Sequence, residues 1–212
     1  VARSYVDAGS HVILTNTFSA NRVVLEKHDA GSRVEELNQA GASISRHAAN
    51  GRAYVFASVG PTGKIVSMDE LDARKAEAIF AEQATALAAG GADAICVETQ
   101  SDLAEALAAL RGCLRACALP VGVTFTFDSG KDKDRTMMGV TIEQAYAMAE
   151  ANGASFVGAN CGLGIDAYVP VCAALAAATD RPVWIKPNAG LPTLVDGRAV
   201  YAVTPEQFAS QV

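Results

Sequence analysis

Residues 155–162 read SFVGANCG, and this stretch decides the fold. It begins as a short apolar strand and ends in Asn160 and Cys161, which a glycine follows. The same order recurs along the chain: apolar strand, polar tip, glycine- or proline-marked loop, helix. In a parallel barrel or a doubly wound sheet, chemistry takes place at the C-terminal ends of the strands. The position of Cys161 therefore predicts a thiol in an active site.

Six runs of this kind are predicted to be strands. They are almost continuously apolar, which is typical of parallel strands buried on both faces. The runs cover residues 11–18, 54–60, 93–99, 120–127, 155–161 and 182–188. Alanine-rich stretches predict helices over residues 32–50, 69–89, 101–116, 141–152 and 165–178, and a further helix that starts at Thr204 as its N-cap. This alternation predicts a parallel sheet with right-handed crossovers.

The alternation is interpreted as a (β/α)8 barrel of the TIM type, forming one domain over residues 1–212. No glycine-rich dinucleotide motif follows a predicted strand, and GPTGK at residues 60–64 has the wrong spacing for a phosphate loop. A complete barrel usually needs about 250 residues. We therefore expect this sequence to lack the first and last strands of the barrel and to be incomplete at both ends.

The composition favours a folded cytoplasmic protein. Hydrophobic residues make up 50% of the 212 residues and charged residues 19%, which is enough apolar material for a large core. The net charge of −6, without a basic cluster, argues against nucleic acid as a partner. No apolar run approaches the roughly 20 residues needed to span a membrane. Five cysteines without a Cys-x-x-Cys pair argue against a disulfide framework and fit the cytosol.

Polar side chains follow the predicted strands at their C-terminal ends, which meet at one edge of a parallel sheet. They are Asn16, Glu98, Asp128, Asn160, Cys161 and Asn188. Two acids without a neighbouring histidine are suited to holding an ammonium group. A single cysteine is suited to nucleophilic attack or to metal coordination. We therefore expect a polar, thiol-containing site at this edge.

Three of these residues have a second interpretation that is equally favoured. Asp128 precedes a charged loop at residues 131–135 and fits a turn as well as a site. Asn16 and Asn188 are also typical of residues that bond loop backbone. For Glu98 a functional role is preferred to a structural one, because an unpaired carboxylate is costly to bury at the end of an apolar strand.

The three histidines lie away from the strand tips. His11 begins a strand, and His28 and His47 lie on or near helices, so packing or surface roles are favoured. Without a histidine at the tips, a Cys–His nucleophilic pair is not favoured, and metal coordination is the better use of Cys161. The remaining cysteines are interpreted as small apolar side chains: Cys96, Cys113, Cys117 and Cys172.

Five motifs, in order and spacing, resemble the homocysteine S-methyltransferase family. They are TNTF at residues 15–18, GPT at 60–62, VET at 97–99, GANC at 158–161 and PNAGLP at 187–192. The last motif is closest to the homocysteine-binding domain of cobalamin-dependent methionine synthases and their stand-alone relatives. The resemblance covers nearly the whole chain.

This resemblance implies a zinc-dependent methyltransferase on a (β/α)8 barrel, in which three cysteines bind the metal. Cys161, in the Asn160-Cys161 motif, would be the first ligand, and the other two are expected in a Gly-Gly-Cys-Cys-Gly motif beyond Val212. The substrate is expected to be a small thiol, homocysteine, and the product methionine. The resemblance further implies that Glu98 and Asp128 hold the amino group of the substrate.

The resemblance also implies that Asn16 and Asn188 shape the substrate pocket, together with Asn160. The methyl donor is expected to be methylcobalamin on a partner domain or protein, because this chain has no Asp-x-His-x-x-Gly motif for binding a corrinoid. The loop at residues 131–135 either contacts such a partner or is simply a solvated face.

Two other functions are considered. The first is a metal-free barrel lyase or aldolase in which Lys186, near a strand tip, forms a Schiff base. The second is a non-catalytic or truncated barrel remnant, whose exposed edges would favour oligomerisation.

Overall fold

A computed structural model of the protein describes residues 1–201 and 203–211. Its main sheet has six strands, and each strand pairs in parallel with its sequence neighbour. The strands are β1 (Val12–Leu14), β2 (Tyr54–Val59), β3 (Ala94–Gln100), β4 (Val121–Phe125), β5 (Phe156–Cys161) and β6 (Val183–Pro187). The sheet curls into a half-barrel with helices between the strands, which confirms the prediction of a TIM-type α/β barrel seen in part.

The helices lie between the strands, as the alternation predicts. They are α1 (Ala2–Asp7), α2 (Arg22–Glu26), α3 (Val34–Ala49), α4 (Ala73–Ala89), α5 (Leu103–Ala116), α6 (Ile142–Ala151), α7 (Ile165–Ala178) and α8 (Pro205–Ala209). Short 3-10 turns occupy Gly31–Arg33 and Val66–Met68. None of the helices in the described part of the chain is long and apolar enough to cross a membrane.

Side-chain caps fix where several helices begin. The Thr141 hydroxyl accepts from the Gln144 backbone N–H, and the Gln144 side chain accepts from the Thr141 N–H, which forms a capping box at α6. Thr204 and Gln207 form the same box at α8, as the sequence predicts. The Asp102 carboxylate caps α5 by accepting from the Ala104 N–H. These reciprocal bonds satisfy N–H groups that the first helical turn leaves unpaired.

The structure corrects several predicted boundaries. α4 begins at Ala73 rather than at residue 69, because the Asp72 side chain caps it by accepting from the Lys75 N–H. β1 ends at Leu14, well short of residue 18. Beyond Leu14 the Thr15 hydroxyl, rather than a strand backbone, accepts from the Ser58 N–H, so the parallel ladder stops there.

One helix after β1 and one hairpin were not predicted. One is α2, which follows β1 and starts where the Asn21 side chain accepts from the Val24 N–H. The other is an antiparallel hairpin that joins β7 (Thr193–Val195) to β8 (Arg198–Val200), just after the PNAGLP motif. Its strands have three residues each and are exposed, so they lack the apolar run by which the six main strands were found.

Large and small side chains alternate within the curl of the sheet. The Phe56 ring stacks on those of Phe156 and Trp184, which are tilted against each other, and the three centroids lie 5.4 to 6.1 Å apart. A Cβ at Gly122 would lie 2.2 Å from the Phe156 ring, and one at Gly158 would lie 1.7 Å from the Trp184 carbonyl oxygen. Glycine at these two positions therefore allows β4, β5 and β6 to approach closely.

Candidate active site

Glu98 lies at the C-terminal end of β3 with only 3% of its surface exposed. One carboxylate oxygen accepts a short hydrogen bond from the Ser58 hydroxyl on β2. The other accepts from the Lys186 ammonium on β6, with 2.6 Å between Nζ and Oε2. A buried carboxylate is tolerated when it is paired and hydrogen-bonded, and these contacts supply both conditions.

Asn160 connects Glu98 to Cys161. It is fully buried in β5, and its Oδ1 accepts from the Thr99 backbone N–H at 2.8 Å and from the Thr124 hydroxyl at 2.6 Å. The amide nitrogen of Asn160 therefore faces the other way and donates to the Thr99 hydroxyl at 2.7 Å. The same nitrogen lies 3.1 Å from the Cys161 sulfur and 3.5 Å from Glu98 Oε2.

Cys161 is the last residue of β5 and is half-buried. Its φ of 61° lies in the left-handed region, which a residue with a Cβ rarely adopts. Thr99, at the end of β3, has a φ of 64°, and its hydroxyl lies 3.5 Å from the Cys161 sulfur. Backbone strain of this kind clusters at functional sites. Both strained residues therefore present their side chains at the same edge of the sheet.

The other cysteines have different surroundings. Burial raises the pKa of the Cys96 and Cys113 thiols, since neither has contact with solvent. All five cysteines are free, and Cys161 is the one that ends a strand. This agrees with the interpretation of Cys96 and Cys113 as buried apolar side chains.

The structure places the remaining predicted residues at the same edge but joins them less closely. Asn188, which is exposed, donates from its amide to the Gly162 carbonyl at 2.9 Å, so it braces the turn that follows Cys161. Asp128 is half-buried and accepts from the Ser129 hydroxyl at 2.9 Å, as a turn residue would. Asn16 is exposed after β1. Within the described residues, neither Asn16 nor Asp128 hydrogen-bonds to Glu98 or Cys161.

Sequence reasoning missed three contributors to this network and considered a fourth, Lys186, only as a Schiff-base lysine. Ser58 and Thr124 bond Glu98 and Asn160, Tyr168 donates its hydroxyl to the Asn160 carbonyl at 2.8 Å, and Lys186 forms the ion pair. Burial raises the pKa of the Tyr168 hydroxyl. Ser58, Thr124 and Lys186 are polar residues inside apolar strand runs, and that was the available signal.

Metal binding can be tested against the donor atoms. Among residues 1–201 and 203–211, no group of three or more His, Cys, Asp or Glu side chains could hold an ion. Cys161 offers one partly accessible sulfur, a ligand that zinc favours, but a zinc site needs at least three protein ligands. The residues that the structure describes therefore fit zinc only as the source of one ligand.

The fold and the site together define a TIM-type α/β barrel protein with a polar, thiol-containing site at its strand tips. Comparison with known proteins identifies the family. The family model "Homocysteine S-methyltransferase" matches residues 1–212, so the chain belongs to that family. The methionine synthases of Mycobacterium leprae (strain TN) and Mycobacterium tuberculosis (strain ATCC 25618 / H37Rv) are each 31% identical over 220 residues, which cover 99% of this chain. The chain spans 18% of the length of these curated relatives.

Solved structures support the fold. The metallated form of the homocysteine methyltransferase MmuM from Escherichia coli matches with a TM-score of 0.77 at 18% identity, covering 90% of this chain and 71% of that one. The oxidized form matches with a TM-score of 0.75 at 19% identity, covering 89% and 69%. The predicted family and the barrel fold are therefore both confirmed.

Proposed function

We propose that this chain binds homocysteine for methyl transfer to its thiol, which yields methionine. Family membership supports the reaction class. The observation that carries the proposal is the proximity of Glu98 and Cys161 on the two sides of Asn160, whose amide nitrogen lies 3.5 Å from Glu98 Oε2 and 3.1 Å from the Cys161 sulfur. This places a buried acid and a partly accessible sulfur on one edge. Homocysteine carries an ammonium group, which would lie at the acid, and a thiol, which would lie near the Cys161 sulfur.

In this proposal Glu98 holds the substrate ammonium. Its burial and its fixed contacts with Ser58 and Lys186 keep the carboxylate in one orientation. Asp128 would approach the same ammonium from the end of β4. Asn16 and Asn188 would form the walls of the pocket, and Asn188 is already tied to the turn after Cys161.

Cys161 is proposed as one ligand of a zinc ion, with two further cysteines expected beyond Val212. A thiol like that of homocysteine, with a pKa near 8.5, is mostly protonated at neutral pH. Zinc bound there would supply the positive charge that favours the thiolate form of the substrate. The contribution of this chain is to hold the Cys161 sulfur in place, through the Asn160 amide and the Thr99 hydroxyl. Neighbours of this kind orient a ligand and set its electron density.

The methyl donor is proposed to be methylcobalamin carried by a partner domain or protein in the cytoplasm. The resemblance of the PNAGLP motif to cobalamin-dependent enzymes supports this donor. The exposed, charged loop at residues 131–133 stands near the strand tips, after β4, where such a partner would approach.

Zinc content tests the proposal independently of activity. The protein expressed from its complete reading frame should hold about one zinc per chain. Cys161→Ala should abolish that zinc, and it should also abolish methionine formation from homocysteine and methylcobalamin. Cys172→Ala, which changes a half-buried cysteine on α7, is the matched control and should keep both. Full zinc content in Cys161→Ala would contradict the proposed role of this sulfur.

The ion pair disfavours the alternative of a Schiff-base lyase or aldolase. A nucleophilic lysine needs a neutral amine with a free lone pair. The Lys186 nitrogen instead donates to the buried Glu98 carboxylate at 2.6 Å, so it is engaged in an ion pair rather than free to attack a carbonyl. Borohydride treatment with a carbonyl substrate should therefore give no adduct at Lys186.

A further inference from the structure

Lys186 reaches across the inside of the half-barrel. It lies on β6, whereas its partner Glu98 lies on β3, three strands away in the sheet order. In the register of β5 and β6, Lys186 is opposite Asn160, and paired residues on adjacent strands point to the same side. The Lys186 side chain therefore extends over the strand tips toward the same site as Glu98 and Asn160.

The two ends of this ion pair differ in exposure. The Glu98 side chain is 5% exposed, whereas that of Lys186 is 42% exposed. An ammonium group has three N–H donors. Within the described residues, Lys186 uses one of them, toward Glu98 Oε2. Because the Lys186 side chain is partly exposed, its remaining donors are available to a ligand.

We propose that Lys186 is a specificity-determining residue that binds the carboxylate of the substrate, while Glu98 holds its ammonium. The inference rests on the proposed function for the class of substrate. The pair carries one negative and one positive charge side by side, and an amino acid zwitterion carries the complementary pair on one carbon. Both ends of the zwitterion then gain a charge-assisted hydrogen bond.

Without Lys186 the same site would select a different ligand. Glu98 alone attracts an ammonium but repels a nearby carboxylate, because like charges at this range are unfavourable. Such a site would favour an aminothiol that lacks the carboxylate. Lys186 therefore converts a site for an amine into a site for an amino acid.

The test compares two ligands that differ only in the carboxylate, L-homocysteine and 3-aminopropane-1-thiol. Their affinities are measured by calorimetry on the wild-type protein and on the Lys186→Met and Lys186→Arg variants. Lys186→Met should lower the ratio of the two affinities, homocysteine over aminothiol, by about 10- to 100-fold. Lys186→Arg, which keeps the charge, should retain most of the wild-type ratio. An equal loss for both ligands would show that Lys186 only positions Glu98, and it would overturn the inference.

A double variant distinguishes direct contact between Lys186 and the substrate from an indirect effect, in which loss of Lys186 leaves the buried Glu98 charge unpaired. In a Glu98→Gln background no buried charge is left unpaired, yet Lys186→Met should still lower the ratio. An unchanged ratio there would overturn the inference, as would a wild-type protein that binds no amino acid. L-methionine, which has no thiol, distinguishes the two proposals. Its Lys186-dependent binding without any turnover of homocysteine would refute methyl transfer and leave the carboxylate contact standing.

Discussion

The amide nitrogen of Asn160 lies 3.1 Å from the sulfur of Cys161. Its orientation is fixed from the other side, because Asn160 Oδ1 accepts from the Thr99 backbone N–H, which can only donate, and from the Thr124 hydroxyl. The sulfur therefore faces a hydrogen-bond donor that cannot rotate away.

Replacing this amide should destabilise the fold. Asn160→Ala removes a fully buried amide and leaves the partly buried Thr99 N–H without its acceptor, so we expect a loss of about 2 to 3 kcal/mol in the free energy of unfolding. Urea denaturation followed by circular dichroism measures this loss. Asn152→Ala, at the half-buried C-cap of α6, removes bonds to the Arg111 side chain and the Met148 carbonyl and should change the same quantity by about 1 kcal/mol. Equal losses in the two variants would contradict a special role for the Asn160 network.

Gly158 is predicted to tolerate no side chain. A Cβ there would meet the Trp184 carbonyl oxygen at 1.7 Å, and backbone cannot move aside as a flexible side chain can. Gly158→Ala should therefore cost at least about 3 kcal/mol or prevent folding. Gly164→Ala is the control, since its Cβ would have an ordinary contact of 3.4 Å and its φ of −88° suits alanine. Thermal melting compares the two, and a stable Gly158→Ala would show that β5 and β6 are further apart.

Glu105 should make stability depend on pH. Burial raises its pKa, although hydrogen bonds from the Thr62 hydroxyl and backbone N–H offset part of this effect. As the pH rises, the unfolded chain therefore loses the Glu105 proton first, near a pKa of about 4.3, and the folded protein loses it only at a higher pH. Between the two pKa values the folded state binds more protons, so this group's contribution to stability falls as pH rises.

Glu105→Gln keeps an acceptor for Thr62 but carries no charge, so it should be more stable than wild type at pH 7. The difference in unfolding free energy should shrink as pH falls toward 5. Glu143→Gln should show the opposite sign at pH 7, because hydrogen bonds from the Glu143 backbone and the Thr141 hydroxyl lower the pKa of Glu143. If the difference in unfolding free energy between Glu105→Gln and wild type does not vary with pH, the Glu105 carboxyl has the same pKa in the folded and unfolded states, which would contradict this prediction.

The barrel and part of its site follow from local sequence patterns. A continuous apolar run that ends in Asn160 and Cys161 specifies both a buried parallel strand and the polar end that the strand presents. The caps at Thr141 and Thr204 depend only on residues three positions apart, so they too could be predicted. The six strands and the main helices therefore appeared in the right order.

Contacts between distant strands could not be predicted in the same way. The pairing of Lys186 with Glu98 depends on how far the sheet curls between β3 and β6, which no local pattern reports. The early end of β1 depends on the bond between the Thr15 hydroxyl and the Ser58 backbone, residues 43 positions apart. Such contacts arise from the packed sheet, and they determine the charge of the site.

The most direct test of the account is the position of a bound substrate. Selenohomocysteine, crystallised with the protein expressed from its complete reading frame, marks the reacting atom by its anomalous X-ray signal. The account predicts a selenium peak roughly 4 Å from the Cys161 sulfur, the separation of two ligands on one tetrahedral zinc. It also predicts that the ammonium lies within hydrogen-bonding distance of Glu98. A selenium peak away from the C-terminal ends of β3 and β5 would contradict it.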